Sequence, residues 1–570
     1  MEETQVKTSH PKGLWVLFGT EMWERFNFYG MRAILTLFMV NSLILGEANA
    51  SIIYGGFLAL CYLTPLLGGF ISDRYLGNRN CILLGGTLMA IGQFFLFYSA
   101  CIFDGNLGTA KGVFWIGLFI IIFGNGFFKP NISSMVGSLY PPSEKTKLDS
   151  AFTIFYMGIN MGALLSQYFV PIFSDVVIDG KPDVYAYKWG YLMAGIAMVI
   201  GTITFFVLKN KYVVTPEGKP IGAVPSRDKS VDSEEGEQAE FSMVSVAFTA
   251  LLFVILFFFF FFLHVNEFLF TQFEIGTLVK GIIYPIIYSA GISLATLILL
   301  DKSHTKIEIQ RILVIYIISF FIIFFWAAFE QAGSSLTFIA ANQTDRTFLF
   351  GWQMPASMVQ IFNGLFVVAL ALPFSLLWDK LRANGKEPIS PMKQAFGLAL
   401  IALSYLIIAY NVKDLGNTGL LAIKWLILLY LIQTCGELCL SPIGLSLVGK
   451  LAPKRFASLL YGVFFISNAA GYALAGTLGA LIPATGDKFT KATELGINLQ
   501  DVLDKKVVPT AEQVALLTKN QLPLEYPVFA GFTIHNLFEF FMVFVVLCGI
   551  AAVILALITP FLKKMMHGIK

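Results

Sequence analysis

Charge is scarce in this chain: Asp, Glu, Lys and Arg make up 13% of its 570 residues, about half of the ~25% usual in soluble domains. That scarcity excludes a soluble globular protein. Histidines number five and cysteines six. The cysteines (Cys61, Cys81, Cys101, Cys435, Cys439 and Cys548) lie in or at the edge of apolar runs, with no CxxC pair and no Cys/His spacing suited to a metal. Free thiols are expected, with no metal site and no cofactor. Neither HExxH nor GxSxG followed by a suitable acid and histidine occurs, and no soluble catalytic domain interrupts the apolar runs. An intramembrane enzyme or a signalling receptor therefore has no motif behind it. The net charge is +3, but Lys and Arg gather where apolar runs end and are nowhere interleaved with exposed aromatics, so nucleic acid is not expected as a partner. The polar start, Met1 to Gly13, leads into an apolar segment that continues past any cleavage point into charged residues, and the first span is expected to be retained.

Hydrophobic residues, by contrast, make up 56% of the chain, and the mean hydropathy is +0.73. Fourteen apolar stretches are each long enough to cross a ~30 Å hydrocarbon core as a helix. An all-α integral membrane protein is predicted, in contact with the lipid bilayer along its length. Residues 1–209 form an N-terminal six-helix bundle, 210–241 a polar cytoplasmic linker, 242–300 two accessory spans, and 301–570 a C-terminal six-helix bundle with an extracytoplasmic insertion at about 482–527. The helical stretches of that insertion are expected to form an external cap. The short loops bearing Arg74 and Arg79, Lys145 and Lys147, Lys380 and Arg382, and Lys450 and Arg455 share one side of an even-numbered threading, which puts both termini in the cytoplasm. Leu256 to Leu263 reads Leu, six Phe, Leu. The two accessory spans carry no ionisable residue in their middle and are read as lipid-facing rather than as an aromatic channel. His264 at the end of the Phe run is read as interfacial rather than as a proton carrier.

The informative residues are ionisable groups inside spans, since each costs a few kcal/mol or more near the bilayer centre and survives mainly when paired or lining a wet cavity. Glu21, Glu24, Arg25, Tyr29 and Arg32 share one helical face of the first span. A clamp that only staples this span to its neighbours remains an alternative reading of them. Asn125 and Lys129 lie one turn apart on span four with Pro130 beside the lysine, Tyr156 and Asn160 one turn apart on span five, and Glu330 precedes Gln331 and Ser334 on span nine. Span ten offers Gln360 and Asn363, and span twelve Glu437, Ser441 and Pro442. Polar groups at mid-depth on at least six spans are what a solvated central cavity requires. The deep acids Glu21, Glu24, Glu330 and Glu437 exceed the deep bases Arg25, Arg32 and Lys129 by one charge, which one proton or one bound cation would neutralise.

Gly69, Asp73, Arg74, Gly77 and Arg79 after the second span are similar to the Gly-xxx-Asp-Arg/Lys-x-x-Gly-x-Arg loop of the major facilitator superfamily, weakly echoed by Asp379 to Arg382 after the tenth. Asp73 and Arg74 would latch neighbouring helix ends on the cytoplasmic side. Glu21 to Arg32 further resembles the ExxERFxYYGMR signature of the proton-dependent oligopeptide transporters (the POT or PTR family) within that superfamily. Phe128-Lys129-Pro130-Asn131 resembles the family's FKPN element, Phe155 to Gly162 its FYxxINxG signature, and Gly436 to Pro442 its GELxxSP element. Two accessory spans between six-helix halves resemble the fourteen-helix form of bacterial members.

The resemblance implies a proton-driven symporter that imports di- and tripeptides by alternating access, with protons as the coupling ion, in the cell's inner (plasma) membrane and working as a monomer. Arg25 and Lys129 would receive the peptide carboxylate, and Glu437 with Asn160 and Asn363 the amino terminus. Tyr29, Tyr62 and Tyr156 would line side-chain pockets. Glu21 and Glu24 would couple protons with Arg25, and Arg32 with Glu330 would form a gate pair that opens when Glu330 is protonated. The residues themselves agree with a zwitterionic substrate, which needs cationic groups facing an anionic one. Phe28 stands where the motif has its first Tyr, and Phe464 where a Trp is common, which reshapes a hydrophobic pocket. Some relatives carry nitrate or other anions, and that remains the alternative substrate class, though an intact Glu21, Glu24 and Arg25 set and Glu437 argue against it.

Overall fold

In lipid the backbone must satisfy its own hydrogen bonds, so apolar runs of this length become helices. The computed structural model describes residues 10–141, 147–215, 218–224, 241–264, 275–416 and 419–569. Lys145 and most of the expected linker, 216–217 and 225–240, lie outside the described residues. So do the side chains of Asp149, Ser441 and Pro442.

The chain divides into two compact units, Met1–Ile34 with Leu63–Asp232, and Leu35–Tyr62 with Ser233–Lys570. The division runs through two continuous helices, α1 (Lys12–Asn41) and α2 (Glu47–Ile71). Eleven stretches among the described residues are long and apolar enough to cross a membrane. One of them, Glu47–Ile102, joins α2 to the next helix through a π turn at Ser72–Leu76. α1 is long enough but carries Lys12, Glu21, Glu24, Arg25 and Arg32, so its apolar windows are interrupted by charge.

The first unit adds α3 (Gly77–Ile102), α4 (Leu107–Ser138), α5 (Leu148–Ser174) and α6 (Tyr187–Tyr212). Asn106 caps α4 by accepting from the Thr109 N–H at 3.0 Å, supplying one of the partners that first-turn amides lack. Leu14, Leu17, Met89, Phe128, Met135, Phe155 and Phe205 are among the buried side chains of its core. At Gly68 the α2 backbone comes so near α4 that an added Cβ would lie 1.9 Å from the Gly126 carbonyl oxygen. That carbonyl belongs to the residue four before Pro130, whose ring nitrogen has no hydrogen to give it.

The expected latch residues Asp73 and Arg74 are both exposed, and Arg74 lies over the Phe70 ring at 4.6 Å. Arg79 is the residue of this loop that ties it down. Its guanidinium donates to the carbonyls of Ile221 (2.6 Å), Lys209 (3.1 Å) and Val213, and to Asn210 Oδ1 (2.9 Å), which fastens the start of α3 to the end of α6 and the segment after it. The last turn of a helix leaves carbonyls without partners, and a buried arginine supplies several donors at once.

The second unit continues with α7 (Met243–His264), α8 (Ile275–Leu278) and α9 (Tyr284–Leu299), the last two fused by a π turn at Val279–Ile283. Most of the large apolar side chains of α7 are exposed, in keeping with a lipid-facing helix. Among the described residues the eighth span takes in Ile275–Leu299 rather than starting near 281, so Lys280 lies inside it, half-buried in the π turn. His264 bonds the Phe260 carbonyl at 2.8 Å and stacks on Tyr288 at 5.9 Å.

α10 (Lys306–Phe329) starts in a capping box of Thr305 and Glu308 and ends in a 3-10 turn, Glu330–Gly333. After the non-helical Ser334 (φ −129°, ψ −99°) comes α11 (Ser335–Asn342). Then follow α12 (Ile361–Ala383), α13 (Ser390–Val412), α14 (Ile423–Leu451) and α15 (Ala457–Gly479). The insertion folds as α16 (Gly486–Glu494), α17 (Leu499–Leu503) and α18 (Ala511–Lys519) around a small core of Ala492, Ile497, Leu499, Val502, Leu503, Leu517 and Leu522. A hairpin, Val528–Phe529 with Phe532–Thr533, leads to α19 (Leu537–Met565).

Candidate functional site

In the first unit the polar face of α1 is drawn into one cluster. Arg25 Nε lies 3.2 Å from Glu21 Oε1 and also bonds Glu24 Oε2. The three side chains are almost wholly buried, at 3%, 0% and 5% exposure for Glu21, Glu24 and Arg25. Glu21 Oε2, Glu24 Oε1 and Arg25 Nη2 keep unused hydrogen-bonding capacity among the described residues. Two carboxylates around one guanidinium leave an excess negative charge, and a buried trio of this composition is eased by one proton.

The helices around the cluster set its position. Gly162 of α5 lies so near α1 that a Cβ there would meet the Met22 carbonyl oxygen at 2.2 Å and Arg25 Cβ at 2.9 Å. Only a glycine admits that approach. The guanidinium lies over the Phe28 ring at 5.4 Å and the Tyr29 ring at 5.9 Å, and the Arg32 guanidinium lies 5.8 Å from the Tyr29 ring centroid. Phe28 thus meets the guanidinium through its ring face alone. Lys129 is half-buried on α4. On α5, Asn160 donates to the Tyr156 carbonyl at 3.0 Å, and Tyr156 is 58% exposed.

In the second unit the 3-10 turn after α10 places Glu330 in a buried polar nest. Tyr54 of α2 donates to Glu330 Oε2 at 3.4 Å. Its hydroxyl occupies the space a side chain at Gly333 would need, since a Cβ there would lie 1.9 Å from it. Thr36 of α1 donates to the Gly333 carbonyl at 2.9 Å. Gln331 bridges the Ala327 carbonyl (2.9 Å) and the Ala475 carbonyl (3.0 Å) and accepts from Ser335 at 2.6 Å, while Gln360 donates to Thr337 at 3.2 Å. A 3-10 turn leaves backbone carbonyls without α-helical partners, and these side chains satisfy them.

Glu437 is half-buried on α14. Asn363, two residues into α12, donates to Glu437 Oε2 at 2.9 Å and to Thr434 Oγ1 at 3.1 Å. Gly436 lets α14 cross α13 closely, a Cβ there reaching the Gly397 carbonyl oxygen at 3.0 Å. The Tyr62 ring packs tilted against Tyr472, with centroids 4.5 Å apart, and Tyr472 tilted against Trp326 at 5.8 Å. Phe464 is buried in the space left by Gly444.

The structure thus unites Glu21, Glu24 and Arg25, and separately Asn363 with Glu437. Arg32 belongs to the first unit and Glu330 to the second. Sequence reasoning missed Tyr54, Thr434, Thr36 and Arg79 as partners. Thr434 was findable one turn before Glu437 on the same helix, whereas Tyr54 gave no signal beyond a hydroxyl in an apolar run.

Three comparisons bear on this geometry. The sequence model described as the POT family matches residues 79–227 and 269–495. A peptide transporter of Yersinia enterocolitica subsp. palearctica is 32% identical over 483 residues, covering 83% of this chain and 88% of its own. A di-/tripeptide transporter of Lactococcus lactis subsp. cremoris is 32% identical over 478 residues, covering 81% and 88%. Among solved structures, a peptide transporter POT in complex with sulfate superposes with a TM-score of 0.72 at 26% identity, covering 99% of this chain and 97% of that one.

Proposed function

Because the chain belongs to the POT family and has the fold of the major facilitator superfamily, we propose that it is a proton-coupled symporter that imports di- and tripeptides by alternating access. The observation that carries the coupling is the buried trio of Glu21, Glu24 and Arg25, where one guanidinium serves two carboxylates. Relatives named as peptide and di-/tripeptide transporters support peptides rather than nitrate as the substrate class.

In this reading residues 1–209 and 301–570 are the two bundles, 210–241 the cytoplasmic linker and 242–300 the accessory spans. Both termini face the cytoplasm, and the 482–527 insertion lies outside. A peptide is held by its ends, which all short peptides share. Arg25 and Lys129 receive its carboxylate as paired cations, a contact that discriminates by charge and geometry. Glu437, oriented by Asn363 and joined by Asn160, receives the ammonium. Tyr29, Tyr62, Tyr156 and Phe464 shape the side-chain pockets. An aromatic, hydrated lining tolerates varied side chains.

The proton supplies the missing positive charge to the acidic excess around Arg25, which leaves the guanidinium free to take the peptide carboxylate. Protonation of Glu330 releases Arg32, and Asp73 and Arg74 act at the cytoplasmic loop. Inward movement of one positive charge draws about 2.3 kcal/mol per 100 mV from the membrane potential. The protein works as a monomer in the inner membrane, with no cofactor beyond the proton.

The test is uptake of labelled dialanine into proteoliposomes with and without an inward proton gradient. Gradient-dependent accumulation that di- and tripeptides compete with, and free alanine and nitrate do not, is the expected result. Gradient-driven uptake of nitrate with none of any peptide would replace the substrate assignment.

A further inference from the structure

The insertion between α15 and α19 has no part in the site described so far, yet it carries a buried charge pair to α2. Lys488 Nζ lies 2.7 Å from Glu47 Oε2, with the two side chains 14% and 6% exposed. The other carboxylate oxygen of Glu47 accepts from Asn342 Nδ2 at 3.0 Å, so Glu47 is held by one residue of α16 and one of α11. Burial works against charge on Lys488, but the Glu47 and Asp487 carboxylates more than offset it and raise its pKa, so it is an ammonium at neutral pH. The insertion is anchored beside this pair. The Gly486 N–H donates to Gln343 Oε1 at 3.0 Å, Gln343 Nε2 donates to the Gly419 carbonyl at 2.8 Å, and Gln521 of the insertion lies against Gly46.

The same stretch of α1 and α2 is gripped by the spans after the linker. Thr36 and Tyr54 meet Gly333, Tyr284 of α9 donates to the Ile52 carbonyl at 2.7 Å, and Gly55 abuts Gly476 of α15. In sequence, however, residues 35–62 belong to the first six spans. Opening an alternating-access carrier on this side requires that stretch to part from α10, α11 and α15. Packed backbones and neutral hydrogen bonds close such a seam, and an ion pair makes it switchable. Removing one partner from a closed pair leaves a buried charge uncompensated, whereas opening hydrates both partners at once.

We propose that Lys488 and Glu47 form an outer latch, by which the insertion holds the N-terminal end of α2 to the spans after the linker and biases the carrier toward its externally closed state. The latch rests on the proposed alternating-access function and topology. Lys488 is a positioning residue: it touches no substrate and acts through α2.

The test uses the full-length protein, with its six cysteines replaced and a single reporter, Ser51→Cys. Ser51 is buried against Gly479 within this seam. A membrane-impermeant maleimide is added outside right-side-out vesicles. Lys488→Met and Glu47→Gln are each expected to speed labelling roughly tenfold, the factor that about 1.4 kcal/mol of lost bias produces. The double variant should label no faster than either single one, and the exchange Glu47→Lys with Lys488→Glu should return to within about twofold of the parent, since coupled partners are not additive. Lys488→Arg keeps the charge and should stay slow, which separates loss of the pair from misfolding of the insertion.

Parental labelling rates in both single variants, or additive effects in the double, would overturn the latch. Labelling requires no peptide, so a parent that carries no dialanine but shows the coupled labelling pattern retains the latch and loses the substrate reading. Reporter access only from the cytoplasmic face would overturn the latch through its topology.

Discussion

Asn363 Nδ2 donates to Glu437 Oε2 across 2.9 Å, and the same nitrogen lies 3.1 Å from Thr434 Oγ1, which in turn donates to the Tyr430 carbonyl at 2.7 Å. Glu437 is thereby held from a neighbouring helix. Replacement by Gln removes the charge that would receive an ammonium. Glu437→Gln is expected to weaken binding of peptides with a free amino terminus by roughly ten- to a hundredfold, the scale of a lost charged hydrogen bond. Amino-blocked peptides should lose little. Competition against labelled dialanine measures both, and equal losses would remove the amino-terminal assignment.

Glu330 accepts from Tyr54 inside the 3-10 turn. Glutamine keeps the hydrogen-bonding shape but cannot change its charge with the proton gradient. Glu330→Gln should abolish gradient-driven accumulation of peptide yet preserve exchange of peptide across the membrane. Counterflow and accumulation measured on the same vesicles separate the two, and normal accumulation would end the coupling role.

Lys129 is half-buried on α4, one turn after Asn125. Lys129→Ala should narrow the preference for free over amidated carboxyl termini by about tenfold, since a point charge is what distinguishes them. An unchanged ratio of inhibition constants would argue against the carboxylate clamp.

At Gly162 any side chain meets the α1 backbone. Gly162→Ala is expected to cost about 1–3 kcal/mol through overpacking and to lower the melting temperature in detergent. It should also raise KM, because Arg25 moves with α1. A melting temperature equal to the parent's would contradict the close crossing.

Outside the membrane, Glu387 lies beside Arg382 (2.8 Å) and Lys393 (2.6 Å). Their hydrogen bonds, the Arg382 one foremost, hold its pKa at about 2, below an ordinary 4.5. A depressed carboxylate stabilises the folded state above the unfolded pKa and loses that contribution as pH falls toward the folded one. The melting-temperature deficit of Glu387→Gln should therefore be widest near neutrality and shrink as pH drops from 4.5 toward 2. A pH-independent deficit would show that the ion pair contributes nothing.

Helices and their polar faces were legible because charge inside an apolar run has few permitted explanations. Glu21, Glu24 and Arg25 announced their own burial, and their spacing put them on one face. The 3-10 turn at Glu330 was not legible, since a polar pair inside an apolar run does not by itself show that the helix tightens there, and the turn is stabilised by residues far away in sequence, Thr36 and Tyr54. Lys280 escaped because its span starts earlier than the apolar run suggests, with a π turn absorbing the lysine. Arg79 was in view within its loop motif, but nothing local shows that its donors face the end of α6, whereas Asp73 and Arg74 read as the charged pair. Helices in the insertion were expected from its helical stretches. Its Lys488 contact joins residues more than four hundred positions apart and is invisible to any local pattern.

The glycines at positions 68 and 162 join helices main chain to main chain. Contacts made by backbone do not depend on the identity of neighbouring side chains, so these crossings set the spacing of the helices whatever polar or aromatic residues the helices carry. Mutational tolerance should be lowest at these two glycines and higher at exposed side chains of the same helices.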